Sequence, residues 1–498
     1  MLNLKTLSRL FIGDQPSNSA LVLCNEDKLY DEGLTMGTLY IGSQGKGKTI
    51  SLARHLVEYM HKYPERAIFV LDWSGSITDS LLSIIMSVKD RESLLKRVIY
   101  DQLGNDEYVM PLPEFSAAYG GSYEDQIQRV IENFRKLSPA LIANAPLLGG
   151  LAISEIAPHF LRLITSATND AVDPNETWQI TETKRLMVDP NLLKKMLTKY
   201  GSKIPETTWY LTREYLSSDI KASERELRTY ALRAILNITD IREVRARLGY
   251  YHPGWTPKDA IATGKLVIVD GAKLINQKAA KDYLFLQVFS LIMAELNRRR
   301  PANPNDKPIS LVLDEVKTFF EMPSMAPELA SLAPQYRSRK LQLYVVLQHL
   351  KQISDELRPH IWSLGNMVCF GIFNFDDAYE LAQQLFPYEP LLARLPAAGS
   401  GNPIMESDRG QYLIIANLLM KLKKRECIMR RQVSEQLRDE YIRHVPQTMT
   451  VQINASHESL EALKDELVRE RSIRIHDALE QINRRHQQPA PQTPPTVS

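Results

Sequence analysis

The chain has 498 residues, 44% of them hydrophobic and 24% charged, with a formal net charge of +2; this excludes a disordered chain and gives enough length for two or three folded units. Cys24, Cys369 and Cys427 are scattered without metal spacing, which argues against a disulfide framework and points to a reducing interior. No run approaches the ~20 apolar residues of a membrane span and no signal-peptide core opens the sequence, so the expected location is cytoplasmic, either free or peripheral at the inner face of a membrane complex.

In chain order, Ala20 to Leu23 reads as a strand and Asp31-Glu32-Gly33 as a turn. Thr38 to Ile41 is a short strand rich in β-branched and aromatic residues. It runs into Gly42-Ser43-Gln44-Gly45-Lys46-Gly47-Lys48-Thr49, which fits the phosphate-binding pattern G-x-x-x-x-G-K-[ST]. Apolar residues at helical spacing follow from Ile50, so the loop opens a helix.

The chemistry of that pattern is specific. A nucleoside triphosphate brings several negative charges to one place. Backbone N–H groups of a wrapped loop can all point at those oxygens, and a helix N-terminus adds its positive dipole end. Glycine at 42, 45 and 47 lets the backbone approach without a Cβ in the way. Lys48 is placed for the β- and γ-phosphates of ATP, and the Thr49 hydroxyl for Mg²⁺. Lys46 is either a solvated loop lysine or a second phosphate contact.

Arg66 to Asp72 is an apolar strand ending in an acid, as in a parallel strand buried on both faces. Asp72 either lies near the nucleotide or caps the helix after Trp73-Ser74-Gly75-Ser76. Arg97 to Asp101 repeats the strand-then-acid pattern. From 112 to 258 helical periodicity replaces strand patterns, and Trp178 and Trp209 are expected in the core of an all-α insertion. The α/β pattern resumes at Gly264 to Asp270, followed by a long apolar helix ending in Arg298-Arg299-Arg300, read as a helix-end charge cluster.

Ile309 to Glu315 is the second chemical signal: an apolar strand ending in two acids, of the kind a phosphate-loop enzyme needs beside its loop. Asp314 would hold the hydrated Mg²⁺, and Glu315 would polarise the attacking water. Leu343 to Leu347 is another buried strand, and Gln348 at its end can hydrogen-bond both a γ-phosphate and a water. Arg337, Arg339 and Lys340 precede that strand, and each is either a solvated charge or an arginine-finger-type group for a neighbouring subunit. Met367 to Ile372 is one more strand. Gln411 to Ala416 and Glu426 to Arg430 suggest a terminal pair of strands joined by the basic stretch from Lys421 to Arg425. Residues 458–485 read as one polar, loosely packed helix, and the Pro/Gln-rich end reads as disordered.

The expected organisation is therefore a β lead-in and first part of a phosphate-loop NTPase core over 1–111, and an all-α insertion over 112–258. The second part of the core follows over 259–432, C-terminal helices over 433–486 and a tail over 487–498. The fold class is α/β.

This order of motifs resembles the FtsK–HerA superfamily of ring-shaped DNA-pumping ATPases, and within it the type IV coupling proteins of conjugation. The likeness rests on residues 42–49, Asp314-Glu315 and the strand ending in Gln348, and spans roughly 20 to 430. It implies a RecA-like core, ATP and Mg²⁺ as cofactors, and a homo-hexamer acting on single- or double-stranded DNA, with a membrane-bound secretion partner. It also implies that Lys48, Thr49, Asp314, Glu315 and Gln348 carry hydrolysis, and that Arg337 acts in trans. Two features depart from coupling proteins: there are no N-terminal membrane helices, and Trp73-Ser74-Gly75 stands where those proteins commonly have Pro-Lys-Gly. Alternatives of other kinds are a secretion-system ATPase that moves protein, a HerA-like DNA-processing translocase, and a non-catalytic nucleotide-gated scaffold. An acid at 315 speaks against the scaffold.

Overall fold

The computed structural model describes residues 37–141, 146–171, 177–217, 221–274, 277–299, 303, 305–314, 336–355, 357–386, 393–394, 404–405, 408–432, 440–445 and 455–487. The strand expected at 20–23, the turn at 31–33, Glu315, Arg300 and the tail beyond 487 lie outside these residues. The strands are β1 (Thr38–Ile41), β2 (Ile68–Asp72), β3 (Val98–Gln102), β4 (Tyr108–Val109), β5 (Leu266–Asp270), β6 (Ile309–Asp314), β7 (Leu341–Leu347), β8 (Asn366–Phe370), β9 (Ala393–Arg394), β10 (Ile404–Met405), β11 (Cys427–Gln432), β12 (Glu440–Val445) and β13 (Ile473–Arg474). Two compact units divide the chain. One takes Met1–Arg97, Gly264–Leu266 and Arg299–Leu460; the other takes Val98–Thr263, Val267–Arg298 and Glu461–Ser498.

The first unit is built on a sheet with strand order β12-β11-β8-β1-β7-β6-β2. The run from β8 to β2 is parallel throughout, and β11 closes one side antiparallel to β8 and β12. Every residue of β1, β2, β6, β7 and β8 is buried. This explains their near-continuous apolar sequences, because strands covered on both faces have no polar side to alternate with. The RecA-like α/β core expected from the motifs is the architecture observed.

The expected strand at 411–416 is instead part of the helix Asp408–Lys421. Its buried residues Gln411, Ile415 and Leu419 recur every four positions, a helical period hidden inside an unbroken apolar run. The terminal strand pair is β11 with β12, in register Cys427 opposite Val445 to Gln432 opposite Glu440. The basic stretch ends the helix and turns the chain into β11.

In the second unit β3 lies beside β5, with the Tyr100 hydroxyl donating to Asp270 Oδ2 at 2.7 Å. Among the described residues, all regular elements between 112 and 258 are helices. Trp209, expected in their core, is 59% exposed; it sits on the short helix Pro205–Tyr210. Arg247 and Asp101 form a fully buried two-pronged ion pair at 2.8 Å on each prong, and Glu114 accepts from Arg129 at 2.9 Å and from the Tyr283 hydroxyl at 2.5 Å. The polar C-terminal segment is two helices, His457–Arg471 and Ile475–Gln487, broken by β13. It does not pack loosely: Ile475, Ala478 and Ile482 are completely buried, and Ile473 of β13 pairs with Val109 of β4.

Candidate functional site: the phosphate-loop edge of the sheet

β1 is held in parallel register on both sides, Ile41 opposite Leu347 of β7 and opposite Cys369 of β8. The loop that leaves it is fixed by backbone bonds to both neighbours. Gly42 N–H donates to Leu347 O at 3.3 Å and Ser43 N–H to Gly371 O at 2.9 Å. The Ser43 hydroxyl accepts from Phe373 N–H at 2.9 Å, so Ser43 anchors the loop. Gln44 and Gly45 face solvent. A Cβ on Gly42 would lie 2.6 Å from Phe370 Cβ, and Gly47 has φ +105° immediately before the helix Lys48–Lys62. Both positions require glycine, for close approach and for left-handed backbone.

That helix has no acid in its first turn and carries His61 and Lys62 in its last, which leaves its positive end uncompensated and attractive to anions. Its buried face includes Leu52, Leu56, Tyr59 and Met60. His55 is also buried, 3.1 Å from the Tyr344 hydroxyl on β7, and burial lowers its pKa to about 4. A neutral imidazole therefore ties the helix to the sheet.

Lys48 is 6% exposed and begins the helix. Its Nζ donates to Gly42 O at 2.5 Å and to Ser43 O at 3.1 Å. Burial lowers its pKa to about 8, opposed by the nearby Asp314 carboxylate. A polyphosphate bound by the loop would favour the protonated form more strongly still. The sign of the pH dependence follows. Below about pH 8 the lysine is already charged and contributes full affinity. Above it, binding must take up a proton, and affinity should fall by up to ~tenfold per pH unit until the bound-state pKa is reached. Titration calorimetry at pH 8.5–9 in two buffers of different ionisation enthalpy should reveal that proton uptake.

Asp314 ends β6 and is 5% exposed. Its Oδ2 accepts from Ser76 Oγ at 3.0 Å. Asp72 lies opposite it in the β2–β6 register and settles its own alternatives. Its two oxygens accept from Gly75 N–H, Thr78 N–H and the Thr78 hydroxyl, each at 2.8 Å, and from Ser74 N–H at 3.2 Å. Asp72 is thus a cap for the turn that starts the helix Ser76–Ser87, and by holding that turn it sets Ser76 against Asp314. Ser76 was not singled out in the sequence, although its loop follows a strand-then-acid signature.

β7 stands between β6 and β1. The register makes Asp314 level with Val346 and Tyr40, two strand spacings, or about 10 Å, from β1. Gln348 follows β7 directly, half-buried, and its backbone N–H donates to Gln352 Oε1 at 2.6 Å. The structure therefore brings the loop 42–49, Gln348 and Asp314 together at the carboxyl ends of three consecutive parallel strands, where ligands bind in open α/β sheets. Oxygen donors at Thr49 and Asp314 have the hard character that suits Mg²⁺, and Lys48 with the helix N-terminus suits phosphate.

Lys46 is half-buried and is not a solvated loop lysine. Its Nζ donates to Leu422 O at 2.7 Å and its carbonyl accepts from Arg425 N–H at 2.8 Å, so it ties the loop to the turn before β11. Arg337 lies on the short helix Tyr336–Arg339 at the opposite, amino end of β7. The seven residues of β7 span about 23 Å, which places position 337 far from this chain's own loop. Arg339 is 3% exposed, and Lys340 Nζ donates to Asp306 O at 2.7 Å.

No family model and no curated protein matches the chain. Solved structures do. The bacterial conjugative coupling protein TrwBΔN70, unbound, is similar over 91% of this chain and 93% of that one, with 12% identity and a TM-score of 0.56. The plasmid coupling protein TrwB with the ATP analogue ADPNP covers 92% and 95% at 12% identity and a TM-score of 0.55. TrwB with ADP and Mg²⁺ covers 91% and 94% at 12% identity and a TM-score of 0.54. At this identity the likeness is one of fold, and it extends over nearly the whole chain. Among the described residues no helix is long and apolar enough to cross a membrane.

Proposed function

We propose, taking the coupling-protein fold as the premise, that this chain is an ATP-hydrolysing motor that acts as a homo-hexameric ring on DNA and docks on a membrane-bound secretion partner. The observation that carries the reading is the alignment of Lys48, Gln348 and Asp314 along one edge of one parallel sheet. Lys48 and the loop N–H groups bind and orient the phosphates. Thr49 and Asp314 hold Mg²⁺, which when bound neutralises charge on the β- and γ-phosphate oxygens. Glu315, the next residue, orients and deprotonates the attacking water. Gln348 links nucleotide state to β7, and Arg337 at the far end of that strand serves a neighbour's site.

Binding and chemistry separate at 314 and 315. Glu315→Gln should keep ATP binding while slowing hydrolysis by ~10²-fold or more, as for loss of a general base. Calorimetry beside single-turnover hydrolysis checks this; failure to bind ATP would make Glu315 a metal ligand instead.

DNA is tested by ATPase rate with and without single- and double-stranded DNA over a salt series. Stimulation that fades steeply with salt is expected, because phosphate contacts release counterions. Indifference to every DNA would transfer the reading to a motor that moves protein.

A further inference from the structure

The sheet order dictates which way a nucleotide must lie. Asp314 and Gln348, which face the terminal phosphate in the proposed function, follow β6 and β7 on one side of β1. The nucleoside end must then run to the other side, over the loop after β8 and the turn before β11.

Two residues there stand out, one for its exposure and one for its backbone. Phe373 is 65% exposed, yet its backbone is pinned to Ser43 and its ring centroid lies 4.7 Å from Lys46 Nζ. Large aromatic rings are usually turned inward unless something covers them. Arg425 has φ +67°, left-handed backbone that costs a non-glycine residue stability and persists only where its surroundings enforce it. The enforcing contact is the phosphate loop itself: Arg425 N–H donates to Lys46 O at 2.8 Å, and Arg425 Cγ lies 3.0 Å from where a Cβ on Gly47 would stand. Among the described residues its guanidinium has no ion-pair or hydrogen-bond partner. A planar cation and an exposed aromatic ring thus flank the same side of one loop.

We propose that Phe373 and Arg425 form the nucleoside end of the ATP site, the base stacking on the Phe373 ring while the planar Arg425 guanidinium lies against the base. This rests on the reading of 42–49 as the phosphate site. Both groups recognise a π-face and neither reads a base edge, so the pocket selects for the presence of a base more than for its identity. Lys46 braces both halves, through Leu422 O and through the Phe373 ring.

Titration calorimetry with ATP and with inorganic tripolyphosphate separates the two ends of the site. Wild type should bind ATP more tightly than tripolyphosphate. Phe373→Ala, and Arg425→Gly, which retains the left-handed backbone, should each weaken ATP by ~5–100-fold, the range for loss of a base-stacking side chain. Tripolyphosphate affinity should change by less than about twofold, and Phe373→Trp should restore ATP binding. Unchanged ATP affinity in both variants, or equal losses for ATP and tripolyphosphate, would overturn the pocket. Wild type binding both ligands equally would also overturn it while leaving the phosphate site standing. Binding of neither would overturn the phosphate-site reading and this one with it.

Discussion

Lys48→Ala should abolish measurable ATP turnover in a protein that still folds. The lysine is buried at the start of a helix, and its truncation deletes buried side-chain atoms. The opposite electrostatic effect works against that. Burial already lowers its pKa to about 8, which means the folded protein holds this charge at a cost. Alanine removes the cost and is the best helix former. Turnover should fall by at least ~10²–10³-fold, the loss typical of one preorganised group that balances developing charge. Thermal denaturation beside a steady-state ATPase assay checks both halves. Normal turnover in folded Lys48→Ala would remove the loop from the chemistry.

Arg337→Ala should be nearly as damaging, through a neighbour. About 23 Å of β7 separates position 337 from this chain's own loop edge, so a guanidinium there cannot serve its own phosphates. In a head-to-tail ring the same position can face the next subunit's loop, where an arginine is worth ~10³–10⁵ in turnover. Arg339 is too buried to serve in its place, at 3% exposure. Arg337→Ala should therefore bind ATP normally and hydrolyse it poorly. Mixing it with Lys48→Ala makes some interfaces that pair an intact Lys48 with a neighbour's intact Arg337. Partial recovery on mixing is the expected result; none, in mixtures shown by mass to be mixed oligomers, would remove Arg337 from the site.

The parts legible in the sequence were those set by local backbone chemistry. Glycine spacing from 42 to 47, the lysine at 48 and an apolar strand ending at Asp314 each announce their geometry within a few residues. Strand order was not legible, because nothing local to β6 says that β7 will intervene before β1. Asp72 stayed ambiguous because its role depends on which way Ser74 to Thr78 fold back onto it. Helix Asp408–Lys421 read as a strand because its polar positions are too few to reveal the helical period. The tie between Lys46 and Leu422 was not legible either, because 376 residues separate them. The same ground hid Phe373 and left Arg425 as one member of a basic stretch, since only the folded sheet places Phe373 beside Ser43 and Arg425 beside Gly47.

ATP hydrolysis at this edge is proposed to move the chain along DNA. The most direct measurement is ATP-dependent displacement of streptavidin from end-biotinylated DNA, run in parallel on single- and double-stranded substrates. Wild type with ATP should displace streptavidin on at least one substrate, and neither Lys48→Ala nor a non-hydrolysable analogue should give displacement. Undiminished ATP turnover with no displacement on either substrate would contradict it.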